Sequence, residues 1–431
     1  MNERYSIIKN EDNKISIRFG FLGLGMGGSS IAAACGDIST NITNDRYPYS
    51  SLLVNTNEID LEKVNVRNPY SKKVKIGSGK GAGRNIELGE QMFKESADIV
   101  LSEIKQQFEN KDFIWVVAGL GGGTGTGSVI EAIRLLMENG FDDKFGLILT
   151  LPRKSEGKTV LNNALHRLRM IHGAMSGLGS IILVDNEKLF DYFSESNPEA
   201  TVSEYLNFSN TFVADTLHEL NVVTASFKPV GEYHFDSSEF ENLIKSPGIL
   251  HFARFTSRSY EIDAAQQLSH IGKLKELLEK GVLSDGYDLS ETTRLAVSIL
   301  ANEPTAKRIY NFQFANAIEN EINELAPVAT EKPIAQYIYQ DKNTKEVYFY
   351  AAFAGLGLPK RIEELVQESL RLKQLEEERK QNAQKDIFSG LDEIAVTSST
   401  GKKSFKDLFG VSEAPSNTEK KKDVFKDLFN K

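Results

Sequence analysis

The stretch from Gly119 to Ser128 reads GLGGGTGTGS, and its reading decides the fold. Five of the seven positions from Gly121 to Gly127 are glycine. A turn needs one or two. Five leave a backbone almost bare of side chains, which can come close to a ligand and offer it several N–H groups. An apolar, strand-like run from Phe113 to Ala118 precedes the stretch. After it, Val129, Ile130, Ile133 and Leu136 recur at helical spacing, so a helix is expected from Ser128. The N-terminus of a helix carries partial positive charge, and the ligand it suits is an anion, most commonly phosphate.

Two more glycine clusters lie upstream. Gly23 to Ser30 (GLGMGGSS) follows a strand-like run, Ile15 to Leu22, and precedes a helix-like segment, Ile31 to Cys35. Gly77 to Asn85 reads GSGKGAGRN. Further strand signals at Ser51 to Val54, Phe145 to Leu151 and Ser180 to Val184 alternate with helical stretches. Such alternation defines an α/β fold with a mostly parallel, doubly wound sheet. One long helix is expected from Ser203 to Phe227. The segment from Pro229 to Leu358 mixes helix and strand signals, with strands at Tyr337 to Tyr339 and Val347 to Ala354. Pro359 opens a highly charged surface helix that carries Ile362, Leu365, Leu372 and Leu375 and ends near Asn382. The expected organisation is therefore a nucleotide-type domain over 1–202, a central helix over 203–227, a smaller α+β domain over 228–358, a C-terminal helix over 359–384 and a flexible tail over 385–431.

The tail is poor in apolar residues, as disordered segments are. It nevertheless repeats FKDLF at Phe405–Phe409 and Phe425–Phe429, with a weaker echo at Lys385–Phe388. A repeated aromatic and leucine motif in such a tail suits folding onto a partner.

Composition narrows the classes. The chain has 431 residues, 51 Lys+Arg against 60 Asp+Glu, and a formal net charge of −9. That balance argues against a general nucleic-acid binder, which needs a broad basic face. A single cysteine, Cys35, rules out an internal disulfide and fits a reducing cytoplasm. No apolar run approaches the roughly 20 residues that span a bilayer, and the first residues lack the apolar centre of a signal peptide. A cytoplasmic protein without a membrane partner is expected.

Which phosphate-binding fold is this? The P-loop pattern is absent. Gly23, Gly25 and Gly28 satisfy G-x-G-x-x-G between a strand and a helix, as a dinucleotide fold requires. That fold also wants an acid at the tip of the next strand to hold a ribose, and Asn55-Thr56-Asn57 stands there instead. An NAD-dependent enzyme is the alternative, and it leaves two glycine loops unexplained.

All three loops, in order, resemble those of the tubulin/FtsZ superfamily. Gly121, Gly122, Gly123, Thr124, Gly125, Thr126 and Gly127 read as its signature phosphate loop. Gly25, Met26, Gly27 and Gly28 resemble its first phosphate loop, and Asn55 falls where FtsZ has Asn-Thr-Asp. Gly81, Ala82, Gly83, Arg84 and Asn85 resemble its loop near the terminal phosphate. Leu151 to Gly157 (LPRKSEG) resembles its ribose loop, with Glu156 as the ribose contact. Asp185 to Leu189 (DNEKL) resembles the segment whose Asn186 reads guanine, and Asn210 falls at a second base contact. An amide offers a donor and an acceptor to the guanine edge. Tyr205 or Phe208 could stack on the base or pack in the core.

The resemblance implies GTP/GDP with Mg²⁺, and hydrolysis by residues far from the loops. Gly231 to Phe240 (GEYHFDSSEF) resembles the family's hydrolytic loop, which enters the neighbouring subunit's pocket. Asp236 and Glu239 match its acids, while His234 replaces its Asn. Read from the residues alone, two acids three apart at a helix start make an N-terminal cap. Assembly is then head-to-tail, and an open heterologous contact makes a filament. The first loop, the His234-Phe235-Asp236 sequence and the charged C-terminal helix with its lysine-rich tail look like the TubZ branch of plasmid-borne relatives. That branch implies plasmid segregation through a TubR-like DNA-binding adaptor on centromere DNA, gripping the tail. An FtsZ-like cell-division GTPase is the alternative within the superfamily.

Overall fold

The computed structural model describes residues 14–41, 46–230, 235–262, 274–340 and 345–384. The chain divides into two units, 1–373 and 374–431; the account below concerns the first. In the N-terminal half, strands and helices alternate: β1 Phe19–Leu24, α1 Gly25–Gly36, β2 Ser50–Asn55, α2 Glu58–Lys63, β3 Lys72–Lys75, α3 Ile86–Glu95, α4 Ala97–Phe108, β4 Phe113–Gly119, α5 Thr124–Glu138, β5 Phe145–Leu151, α6 Lys158–Ala174, β6 Ser180–Asp185, α7 Asn186–Ser196 and α8 Val202–Ser226. Then come β7 Lys228–Val230, α9 Ser237–Lys245, β8 Gly248–Arg258, β9 Arg294–Asn302, α10 Glu303–Ile309, α11 Phe312–Leu325, β10 Ile334–Tyr339, β11 Glu346–Leu356 and α12 Lys360–Gln384.

The strands form one eleven-stranded sheet in the order β3-β2-β1-β4-β5-β6-β8-β11-β9-β10-β7. The first six are parallel neighbours. β6 meets β8 through a short parallel pairing at Ser180 and Ile181, and β11 then runs antiparallel to both β8 and β9. This is the tubulin/FtsZ-like α/β fold, with a parallel-sheet N-terminal region and a mixed C-terminal one.

The central strands are apolar on both faces, as strands covered by helices on each side must be. In β4, Phe113, Trp115 and Val117 join one core, and Ile114, Val116 and Ala118 join the other. The first core also takes α8, which is buried without a break from Phe212 to Thr224. The Asn221 amide inside it is matched. Asn221 Oδ1 accepts from the Ser16 and Ile17 amides at 3.0 and 2.9 Å, and its Nδ2 donates to the Ile17 carbonyl at 2.7 Å. The segment entering β1 is thus tied to the middle of α8.

Most elements fall where the sequence places them. The long helix runs Val202–Ser226, within a residue of its expected ends, and β5 is Phe145–Leu151 as read. The C-terminal helix begins at Lys360, after Pro359, and reaches Gln384. One boundary differs. The helix expected from Ser128 begins at Thr124, so the second half of the glycine stretch is its first turn. Thr126 makes this possible: its Oγ1 accepts from the Gly121 amide at 2.8 Å and closes the loop onto the helix. Among the described residues no helix is long and apolar enough to cross a membrane.

The approach of α1 to β4 is unusually close. A Cβ on Gly28 would sit 2.1 Å from the Val117 carbonyl oxygen, whereas on the neighbouring Gly27 it would meet nothing nearer than 3.8 Å. Backbone cannot step aside as a side chain can. Gly28→Ala is therefore expected to destabilise the fold by at least about 1–3 kcal/mol, the usual cost of overpacking. Gly27→Ala, which adds a better helix former to α1 without a clash, should stay within about 0.5 kcal/mol of the parent. Urea unfolding of the two variants checks the contrast.

Candidate nucleotide site

The carboxyl ends of the parallel strands converge on one cleft, the usual place for a ligand in such sheets. It is lined from β1 and α1 by Leu24, Gly25, Met26 and Gly27, and from the tip of β2 and the start of α2 by Asn55, Asn57 and Asp60. Lys80 to Gly83, Gly119, Leu120 and Gly122 to Gly125 form the loops. Thr150, Glu156 and Asn186 complete the far end.

The loops hold one another by backbone contacts. The Gly81 amide donates to the Thr56 carbonyl at 2.9 Å, and the Gly123 amide donates to the Gly83 carbonyl at 3.0 Å. A Cβ on Gly123 would come within 2.5 Å of the Gly83 oxygen, and one on Gly127 within 2.4 Å of the Ile86 oxygen. Gly121 sits at φ +116°, a conformation that side chains resist. Asn163 on α6 braces two loops from behind, its Nδ2 donating to the carbonyls of Arg84 and Gly121 at 3.0 and 3.2 Å.

Of the residues singled out from sequence, the cleft gathers Gly25, Met26, Gly27, Asn55, Gly81, Ala82, Gly83, Gly122, Gly123, Thr124, Gly125, Glu156 and Asn186. The others stand behind it. Gly28 packs α1 on β4; Gly121, Thr126 and Gly127 shape the loop and its helix; the Arg84 carbonyl takes a brace from α6. Asn85 caps α3, accepting from the Leu88 amide at 2.8 Å. Asn210 is half-buried on α8 and is not among the lining residues. Neither is Tyr205, which is buried, packs edge-on against Phe190 and donates its hydroxyl to the Asn186 carbonyl at 2.9 Å. Phe208 packs among Tyr192, Phe193 and Phe212.

The cleft also contains Lys80, Asn57 and Asp60, which sequence reading passed over. Lys80 could have been found: it is the one cation inside the Gly79–Gly83 stretch. Asn57 and Asp60 were disguised by a local job, since Asn57 caps α2 by accepting from the Asp60 amide.

One buried group points to a ligand. Asn55 is 2% exposed, and its Oδ1 accepts from the Asn57 amide at 3.2 Å. Its Nδ2, beside the glycine loops, has no hydrogen-bond partner among the described residues. A buried donor left unmatched costs free energy, and an acceptor bound in the cleft would meet it.

The two acids lie elsewhere. Asp236 Oδ1 accepts from the Glu239 amide at 3.0 Å, and Glu239 Oε2 accepts from the Asp236 amide at 3.0 Å. This reciprocal capping box opens α9. Its next residue, Ser237, donates to Ser16 Oγ at 2.9 Å, just before β1 begins. The cleft lies past the other end of β1. Six strand residues at about 3.3 Å each separate the two by roughly 20 Å or more. His234 lies outside the described residues.

Two family models match the chain: the GTPase domain of the Tubulin/FtsZ family over residues 19–194, and the C-terminal domain of the tubulin-like protein TubZ over residues 233–360. The fold and the cleft are those of the tubulin/FtsZ class. Over 401 residues the chain is 43% identical to Tubulin-like protein TubZ of Bacillus cereus, covering 91% of both chains, and it belongs to the TubZ family. Cell division protein FtsZ 1 of Methanocaldococcus jannaschii is 34% identical over 134 residues, 29% of this chain and 33% of that protein. The GTPγS-form protofilament structure of TubZ from Bacillus thuringiensis serovar israelensis shares the fold with a TM-score of 0.72. It is 22% identical and covers 88% of this chain and 96% of that one.

Asn55→Asp tests the cleft. It keeps the acceptor for the Asn57 amide and replaces the unmatched donor by a carboxylate oxygen. The affinity for a guanosine triphosphate analogue should fall at least tenfold, the equivalent of about 1.4 kcal/mol. Lowering the pH should restore part of it, because a buried carboxyl without a cation titrates upward and its protonated form donates again. Calorimetric titration over a pH series reads both effects.

Proposed function

We propose that the chain is a GTP-dependent cytomotive filament protein of the bacterial cytoplasm that assembles head-to-tail and hydrolyses GTP at the subunit interface. The observation that supports this best is the separation of the two half-sites along β1. The cleft lies beyond its carboxyl end, and Asp236 and Glu239 lie beside its amino end. No subunit can bring its own acids to its own nucleotide without dismantling the sheet. A neighbour stacked end to end can, so turnover follows assembly.

In this reading Gly25 to Gly27, Gly81 to Gly83 and Gly122 to Gly125 hold the phosphates, with Asn55 donating to a phosphate oxygen, while Gly28, Arg84, Asn85, Gly121, Thr126 and Gly127 shape these loops from behind. Glu156 meets the ribose. Asn186 meets the base. Phosphoryl transfer asks mostly for positioning and charge stabilisation, and the incoming Asp236 and Glu239 orient the attacking water. Among the described residues no group of three His, Cys, Asp or Glu could form a metal cage. Mg²⁺ would be held largely by phosphate oxygens and water and would supply charge neutralisation there. The division into 1–202, 203–227, 228–358, 359–384 and 385–431 follows the same reading, with nucleotide and acids at opposite ends of the central helix.

The capping box dictates which variants to use. Asp236→Ala or Glu239→Ala removes a cap as well as a carboxylate and costs α9 about 0.5–2 kcal/mol. Asp236→Asn and Glu239→Gln keep the caps and lose only the charge. Both should still bind GTP and pellet as filaments, while phosphate release falls about 100-fold, the lower range for a proton-handling side chain. Normal turnover in the amide variants would assign the acids to capping alone.

The TubZ family also supports a role in partitioning plasmid DNA through a TubR-like DNA-binding adaptor on centromere DNA. The repeated FKDLF segments offer aromatic and leucine anchors for it. Truncation after Gln384 should leave nucleotide-dependent pelleting intact and abolish adaptor capture. Capture that persists would move the adaptor contact to the folded body.

A further inference from the structure

Arg361, the second residue of α12, is 6% exposed and faces three carboxylates. Its Nε lies 3.0 Å from Asp185 Oδ2, its Nη2 3.2 Å from Glu187 Oε2, and its Nη1 3.1 Å from Glu364 Oε2. Between Asp185 and Glu187 in the chain stands Asn186, the side chain at the far end of the cleft. The carboxylates have further tasks. Asp185 Oδ1 accepts from the Glu187 amide at 3.0 Å, and Glu187 Oε2 accepts from the Lys154 amide at 2.7 Å. Lys154 belongs to the turn that carries Glu156, and its ammonium returns to Glu364 at 2.8 Å.

One guanidinium therefore holds, across 174 residues of sequence to Glu187, the turn that bears Asn186 and, through Glu187 and Glu364, the loop that bears Glu156. We propose that Arg361 is a positioning residue for nucleobase selection: its fork sets Asn186 and Glu156 in register with the base and ribose, and makes the first turn of α12 part of the specificity apparatus. The planar fork matters because it addresses several carboxylates in fixed directions, which a lysine ammonium cannot. The phosphate loops need no such help, since they are braced through backbone contacts and Asn163. The inference rests on the proposed reading of Asn186 as the base contact.

Arg361→Lys keeps the charge, so the clasp stays neutralised and the protein is expected to fold. Arg361→Gln paired with Asp185→Asn removes both charges together and serves as the second variant. Affinities for GTPγS, ATPγS and inorganic tripolyphosphate are measured by calorimetry on the full chain, beside Asn186→Ala. In both Arg361 variants the GTPγS affinity should fall roughly tenfold, the scale of one lost charge-assisted hydrogen bond. The preference for GTPγS over ATPγS should fall with it, and tripolyphosphate binding should not change. An equal loss for GTPγS and tripolyphosphate would make Arg361 a general structural residue and overturn the inference. So would intact base preference in the Arg361 variants while Asn186→Ala loses it. If Asn186→Ala also keeps the preference, the base-contact reading itself has failed, and the inference with it.

Discussion

The distance between α1 and β4 is set where a Gly28 Cβ would fall 2.1 Å from the Val117 oxygen, and the nucleotide end of the molecule is built outward from that contact. With α1 pressed on β4, Gly25 reaches the first turn of α5, where its Cβ would stand 2.7 Å from the Gly125 nitrogen. The same intimacy recurs between Gly123 and Gly83, and between Gly89 and Gly123. The cleft walls are thus main chain held by main chain, with few rotamers to lose or misplace. Such a wall can present N–H groups in fixed directions before any ligand arrives, which is the economical way to bind an anion.

This explains why the glycines were so legible in sequence and why their tasks were not. A run with five glycines in seven marks close backbone approach, and it is right that something approaches closely. Gly27 and Gly122 line the ligand space and meet no protein atom closely; Gly25, Gly123 and Gly125 line it while also being approached by main chain; at Gly28 and Gly127 what approaches is only another element of the protein itself. Sequence spacing cannot separate these cases, because both demand the missing Cβ. The start of α5 was misread for a related reason. Glycine is a poor helix former, and it takes the Thr126 hydroxyl, accepting from the Gly121 amide, together with the Gly127 amide donating to the Gly123 carbonyl at 2.9 Å, to fix Thr124 to Gly127 as a helical turn.

The regular elements were legible where burial is two-sided or amphipathic. The apolar runs of β4, β5 and β6 and the long α8 carry their own signal. β3, reading Lys72-Lys73-Val74-Lys75, has one buried side chain of four and no apolar pattern, so nothing local announces it as the edge of the sheet. β7 is three residues long and exists through its pairing with β10. Long-range ionic contacts are similarly silent. Arg361 lies in a helix crowded with charge, and nothing about its neighbours distinguishes it from the solvated residues Lys373 or Arg379; the sheet brings it to Asp185.

The two ends of the cleft are therefore held by different physics. The glycine-loop end depends on excluded volume and backbone hydrogen bonds, which salt and pH scarcely touch. The Asn186 end depends on ions taken largely out of water. Burial pushes the Asp185 carboxyl up, and Arg361, together with the amides of Glu187 and Lys188, pulls against that shift without overcoming it. A folded-state value above the unfolded one means that ionised Asp185 opposes folding as the pH rises, so the clasp exists because the rest of the structure holds its members together. Such ionic clusters contribute little net stability, and their use is geometric. In the proposed reading the contrast divides the tasks: anchoring belongs to the rigid backbone end, and choosing among nucleotides belongs to the end whose geometry a side chain can set.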